Sequence, residues 1–253
     1  MLEYASKGLI GLLTPQANTT VEAEFSILLP PNIGLLTSRL ISKKPLMEDR
    51  LEEYIKQIEK NLDSFANAPL RAAVFACTGA SYFFEKSQEQ DYFNQITKNR
   101  GYPVISATTA LSDAINALGA RRIGIISPYG DNLHHKAMGY WSKKTNSVIT
   151  VKRLEQSENS FHPIYSLQSI FSKTYLKEFE ESKVEVILIL GTGIPTLRTL
   201  LRLNDKINLI SANLCLMWRV SLLINNQEPS FNNLKEWISG KYWKERYAHR
   251  TNQ

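Results

Sequence analysis

Gly8-Leu9-Ile10-Gly11-Leu12-Leu13-Thr14-Pro15-Gln16-Ala17-Asn18 is answered later in the chain by Arg122-Ile123-Gly124-Ile125-Ile126-Ser127-Pro128-Tyr129-Gly130-Asp131-Asn132. Each stretch is an apolar run, a hydroxyl residue, a proline and a polar turn that ends in asparagine. The likeness continues downstream. Ala72 to Ser81 (AAVFACTGAS) pairs with Val186 to Thr196 (VILILGTGIPT), and Tyr102 to Ala110 (YPVISATTA) with Ile207 to Cys215 (INLISANLC). Pro15 and Pro128 lie about 113 residues apart, Cys77 and Gly191 about 114, and Ser106 and Ser211 about 105, which marks a duplicated unit of roughly half the chain. A duplicated α/β unit builds one ligand site from both copies, between them.

The element pattern within each copy agrees. Gly8–Leu13, Gly34–Arg39, Ala72–Ala76 and Pro103–Ser106 read as strands; so do Arg122–Ser127, Val148–Leu154, Val184–Leu190 and Ile207–Ser211. Helical periodicity occupies Glu48–Phe65, with Leu51, Ile55, Ile58 and Leu62 on one stripe. It returns in Thr108–Leu118 (Gly119 as C-cap), Asp131–Lys143, Leu167–Glu181, Thr196–Leu203 and Asn213–Ile224. Beyond Phe231 the tail is helical and polar, with Trp237 and Trp243 as docking residues. Alternating strands and helices predict an α/β fold of two pseudo-symmetric, Rossmann-like lobes with parallel four-stranded sheets and the active site in the cleft between them. The expected division is 1–118 for the first lobe, with 212–253 packing back on it, and 119–211 for the second.

Bulk properties narrow the function. The chain has 253 residues, 43% of them hydrophobic and 21% charged, an ordinary globular composition. The net charge of +6 is spread along helix-like segments that mix signs, as in Lys56-Gln57-Ile58-Glu59-Lys60, so nucleic-acid binding is not expected. No apolar run is long enough to span a membrane. The two cysteines, Cys77 and Cys215, form no disulfide framework, and no secretory leader pattern opens the chain, so the expected location is the cytoplasm. Homo-oligomerisation is left open.

In doubly wound sheets the ligand sits beyond the carboxyl ends of the strands. That selects loops 14–20, 77–81, 128–132 and 191–196, each at a helix start and so suited to a small dicarboxylate. None holds a dinucleotide fingerprint or a Walker loop, and no histidine pairs with cysteine or acid at metal spacing, so neither cofactor nor metal is expected. Cys77, at a strand end and a helix start, reads either as a low-pKa thiolate or as a small core residue. Cys215, several residues into a helix, reads as core. Asn18 can cap a helix, Tyr129 can wall the cleft, and Asn159 can serve a turn; each also falls on the sheet edge that carries Cys77.

Thr14-Pro15-Gln16-Ala17-Asn18-Thr19-Thr20-Val21-Glu22, Ala76-Cys77-Thr78-Gly79, Ser127-Pro128-Tyr129 and Ile194-Pro195-Thr196-Leu197 resemble the maleate cis-trans isomerases. With arylmalonate decarboxylase these belong to the aspartate/glutamate racemase superfamily, and the resemblance spans residues 8 to about 224. It implies a nucleophilic Cys77 that forms a succinyl-cysteine-like adduct, and substrate carboxylates held by Asn18, Tyr129 and Asn159. Pro15, Thr78, Gly79, Gly191 and Thr192 complete the implied binding set. The family's second cysteine falls on Gly191 here. Arylmalonate decarboxylase departs the opposite way, with glycine at the first position and the second thiol kept. Racemisation needs an acid on each face of a planar intermediate, so one thiol makes it the least suited reaction. Isomerisation needs one nucleophile, and decarboxylation one proton donor and an oxyanion pocket. The motifs favour the isomerase, the cysteine count the decarboxylase, and a non-catalytic dicarboxylate-binding relative is the third reading.

Overall fold

A computed structural model describes residues 2–84, 88–145, 148–153, 179, 181–203 and 208–251. The chain begins β1 (Gly8–Pro15), α1 (Val21–Leu28), β2 (Ile33–Leu40), α2 (Met47–Lys56), α3 (Ile58–Asp63) and β3 (Leu70–Phe75). It continues α4 (Thr78–Ser81), α5 (Gln88–Arg100), β4 (Val104–Ser106) and α6 (Ala107–Leu118). The second copy follows as β5 (Arg122–Ser127), α7 (Asp131–Thr145), β6 (Val148–Arg153) and β7 (Val186–Ile189). After it come α8 (Leu197–Leu203), β8 (Asn208–Ser211), α9 (Ala212–Ile224), α10 (Phe231–Ile238) and α11 (Lys244–Thr251).

The strands form two parallel sheets of the same topology, β2-β1-β3-β4 and β6-β5-β7-β8. In each sheet the first strand of the copy is central, paired on one side to the second and on the other to the third. The duplication therefore reaches strand order as well as sequence. It also reaches the caps: Ser106 Oγ accepts from Thr109 N at 3.1 Å to start α6, and Ser211 Oγ accepts from Leu214 N at 3.4 Å to start α9. Gly119 closes α6 in the left-handed conformation, at φ 64°. The central strands are buried over their carboxyl halves, as strands covered on both faces must be.

Helix α9 leaves the second sheet and packs on α6, α1 and β3. Apart from Arg219 and Leu223 its side chains are all buried, and it is apolar all round rather than striped. Trp243 is fully buried and Trp237 nearly so, which docks the tail.

Three expectations need correction. The helix expected over Glu48–Phe65 is two helices, α2 and α3. The break falls at Gln57, whose side chain pairs with the backbone of Ile41 at the end of β2: Nε2 donates to Ile41 O at 2.7 Å and Oε1 accepts from Ile41 N at 3.3 Å. The helix that follows Cys77 is a single short turn, and α5 is a helix the periodicity did not reveal. Most of the helix expected at Leu167–Glu181 lies outside the described residues.

Candidate active site

A cavity of about 450 Å³ opens at the carboxyl ends of β1, β3, β5 and β7. Both copies supply walls, among them the turns at 15–18 and 77–79 from the first and those at 128–133 and 191–193 from the second. Cys77 and Gly191, the positions related by the repeat, line this one cavity.

Cys77 follows β3 directly and is extended, at φ −147°, as the residue that opens α4. It is 4% exposed. Burial pushes its thiol up to about 12, against the pull of the Ala80 and Gly79 backbone amides. The expectation of a low-pKa thiolate is thereby corrected. Helix α4 has only four residues, so few aligned dipoles stand behind the sulfur, and desolvation outweighs them. Burial thus favours the thiol form of Cys77. Cys215 is fully buried inside α9, does not line the cavity, and has a thiol raised further still by burial.

Asn18 does both things its sequence position allowed. Its Oδ1 accepts from Thr20 N at 2.9 Å and Val21 N at 3.1 Å, capping α1. Its Nδ2 donates to Thr192 Oγ1 at 3.1 Å, across to the second copy. One amide hydrogen remains, on a side chain that lines the cavity. Thr192 Oγ1 in turn gives its own hydrogen to Ala76 O at 2.9 Å, the carbonyl just before the thiol residue. A second polar pair is Thr78 Oγ1 and Tyr129 OH, 2.7 Å apart and again one from each copy. The Tyr129 ring meets the edge of Tyr82 at 5.8 Å, and burial raises its hydroxyl well above the ordinary value, so it stays a neutral donor. Pro15 and Gly79 also line the cavity; the Cβ that Gly79 lacks would lie 3.3 Å from both methyls of Leu51. Gly191 has φ 88°, in the left-handed region that favours glycine. Asn159 lies outside the described residues.

The sequence reading missed the wall supplied by α2. Met47, Leu51 and Tyr54 line the cavity, with Leu133 from α7. Burial and the neighbouring Cys77 push the Tyr54 hydroxyl up to about 12. Leu51 and Tyr54 belong to an apolar helical stripe, and such a stripe looks the same whether it faces a core or a cavity. Among the described residues the lining includes no Lys, Arg or His, and it includes the acids Glu48 and Asp131. Among the described residues, the lining offers an anion neutral donors: hydroxyls, the Asn18 amide and backbone N–H groups. No cluster of three or more potential metal ligands occurs among the described residues. No helix among them is long and apolar enough to cross a membrane.

Comparison with known proteins bears on this geometry. A maleate isomerase from Geobacillus stearothermophilus is 25% identical over 256 residues, covering 92% of this chain and 98% of that protein. Among solved structures, a cysteine-to-alanine variant of the maleate isomerase from Pseudomonas putida S16, with maleate, superposes with a TM-score of 0.75 at 20% identity, covering 94% and 99% of the two chains. A cysteine-to-serine variant of the Nocardia farcinica maleate cis-trans isomerase, carrying a covalently bound succinylcysteine intermediate, gives 0.74 at 19% identity, with 90% and 98% covered. An arylmalonate decarboxylase variant with one glycine changed to cysteine and one cysteine to serine gives 0.71 at 18% identity, with 86% and 92% covered. The family model for arylmalonate decarboxylase matches residues 10–232. That match runs from within β1 to the first turn of α10 and so takes in both copies of the repeat: this chain is an enzyme of the arylmalonate decarboxylase family.

Proposed function

We propose that the protein isomerises a small cis-unsaturated dicarboxylate, of the maleate type, to its trans form through a covalent adduct at Cys77. One observation carries the reading: a single thiol shares its cavity with two neutral polar pairs, Asn18–Thr192 and Thr78–Tyr129, one for each carboxylate. The relative from Geobacillus stearothermophilus and the Pseudomonas putida structure with maleate support the substrate class. The Nocardia farcinica structure with its succinylcysteine supports the adduct.

The steps balance as follows. Sγ of Cys77 bonds to one alkene carbon, and the π pair moves to the other, which takes the thiol proton. The product is a succinyl thioether with a single bond where the double bond was. That bond turns. The second carbon then loses a proton, the C–S bond breaks, the trans alkene forms, and sulfur recovers its proton. The carboxylate donors stabilise the enediolate character that develops as sulfur adds and leaves.

A second reading is favoured by a specific observation, the burial that keeps Cys77 protonated at rest. A substituted malonate would lose carbon dioxide to give an enediolate. The carbon would then take the Cys77 proton, and solvent would restore it. Proton NMR of the protein with maleate, and separately with a substituted malonate, distinguishes the two. Appearance of the fumarate singlet supports isomerisation; a new α-proton signal with loss of carbon dioxide supports decarboxylation. No conversion of either, with dicarboxylates still binding, overturns both and leaves a binding protein.

A further inference from the structure

Glu24 lies on α1, is 4% exposed, and does not line the cavity, yet its carboxylate is bonded by Thr196, Leu197 and Asn213. Every partner lies far along the chain. Oε1 accepts from the backbone N–H of Thr196 and from that of Leu197, the latter at 3.1 Å. Thr196 Oγ1 sits 3.0 Å from Oε1 and also 2.8 Å from Ser211 Oγ. Oε2 accepts from Asn213 Nδ2 at 2.8 Å. The same Asn213 amide gives its other hydrogen to Thr192 O at 3.0 Å. Beside this, Thr20 Oγ1 donates to Gly193 O at 2.8 Å.

The bonds form a short mechanical chain. Thr192 Oγ1 is the acceptor that faces Asn18, and the Thr192 carbonyl is held by Asn213, which is held by Glu24. Burying a carboxylate is costly unless its lone pairs are filled, and here they are filled by Thr196 and Leu197, just beyond the 191–193 turn that lines the cavity, and by Asn213 of α9. The repeat makes the arrangement informative. Ser211 and Asn213 correspond to Ser106 and Thr108, and those two meet another buried glutamate, Glu89. Its Oε1 accepts from Ser106 Oγ at 2.7 Å and from Thr108 Oγ1 at 2.6 Å, and Tyr140 of α7 donates to its Oε2 at 2.5 Å. The start of the helix after each copy's last strand thus meets a buried carboxylate, and the first copy supplies both of them. Only the Glu24 network grips the loop that carries Thr192.

We propose that Glu24 is a positioning residue that fixes the Gly191–Leu197 segment of the second copy against the first, and so sets the placement of Thr192 and its Asn18 partner for a substrate carboxylate at Cys77. The role rests on the dicarboxylate reading of the cavity. Gln at position 24 keeps the size and one acceptor. It also turns an N–H₂ group toward Asn213 Nδ2, so two donors meet; a flip of Asn213 relieves that only by taking the donor from Thr192 O.

The test uses the full chain with Glu24→Gln and, separately, Asn213→Ala, which leaves Glu24 on Thr196 and Leu197 but frees the Thr192 carbonyl. Hydrogen exchange of peptides covering 192–197 should quicken at least tenfold in Glu24→Gln, with peptides of β1 and β3 unchanged. The concentration of maleate or methylmalonate that half-protects Cys77 from iodoacetamide at pH 9 should rise at least tenfold in both variants, while the unprotected alkylation rate stays within twofold. Wild-type exchange in 192–197 overturns the latch itself. Faster exchange with unchanged half-protection overturns its connection to the site. If neither diacid protects the wild-type thiol, the dicarboxylate reading fails, and the exchange result alone decides whether Glu24 fixes the segment.

Discussion

The reactivity of Cys77 follows from its environment and can be worked through to a number. Burial moves the thiol from 9.0 to about 12. At pH 8 an ordinary thiol is about one-tenth ionised, whereas one at about 12 is ionised to roughly one part in 10⁴. Iodoacetamide reacts with the thiolate. Native Cys77 should therefore alkylate about a thousandfold more slowly at pH 8 than an exposed cysteine, and slower still where access is limited. Access and ionisation separate by their pH dependence: restricted access lowers the rate equally at every pH, while a raised pKa makes the rate climb about tenfold per pH unit across neutral and mildly alkaline conditions. The assay is intact-mass and peptide mapping of the native protein between pH 7 and 9.5, with the urea-unfolded chain as reference for both cysteines. Cys77, which lines the cavity, should label before Cys215, which is wholly buried. A rate that levels off below pH 8 would show that the amides of Ala80 and Gly79 outweigh burial, and the account of a resting thiol would be refuted. Label on Cys215 first would refute the assignment of the reactive thiol.

Asn18→Asp keeps a good cap for α1 but sets a buried carboxylate oxygen where the donor to Thr192 stood, so melting should fall and KM for a dicarboxylate should rise about ten- to hundredfold; Asn18→Ala should raise KM too and lose about 0.5–2 kcal/mol of stability with the cap. An unchanged KM in both variants would reduce Asn18 to a cap. Tyr129→Phe removes the hydroxyl that pairs with Thr78 and should lower kcat/KM about ten- to hundredfold with the fold intact by circular dichroism; full activity would place carboxylate binding elsewhere. Gly191→Cys places a side chain at φ 88°, which should cost about 1–2 kcal/mol, or roughly 2–8 °C in melting temperature. In that variant a decarboxylase should gain racemising ability and an isomerase should turn over faster; unchanged melting would mean the loop relaxes freely around the new side chain.

The two lobes and their strands were legible because the cues that set them are local. A buried run stopped by Thr14-Pro15 or Ser127-Pro128 reads as a strand whatever surrounds it, and repetition of the run doubles the signal. What escaped depends on contacts distant in sequence. The stripe Leu51, Ile55, Ile58, Leu62 passes through the junction of α2 and α3 without a fault; the break is made by Gln57 bonding Ile41, 16 residues earlier. Helix α5 is almost wholly polar, and one of its three buried side chains is Glu89, which no pattern of apolar residues can announce. At the site the residue types were legible and their electrostatics were not. A cysteine at a helix start argues for a lowered pKa, yet α4 is too short to supply much dipole, and the depth of burial becomes visible only once α2 is seen to close over the thiol.

The duplication also explains why the two equivalent positions are not interchangeable. Cys77 is extended and opens α4 with Thr78, whose hydroxyl meets Tyr129. Gly191 stands at the same point of the second copy with a left-handed backbone, and its neighbour Thr192 has turned its hydroxyl toward Ala76 and Asn18 of the first. The second copy therefore differs in main-chain path as well as in side chain: it gives up the place of a second acid and supplies a loop that binds the first copy. On the proposed reading, a reaction that must deliver a thiol proton to either face of a planar intermediate would lack its second thiol, because glycine stands at 191. A reaction that begins and ends at one sulfur needs only the walls to hold the carboxylates still, and the bonds from Asn18, Thr20 and Glu24 to the 192–197 segment are placed to do that.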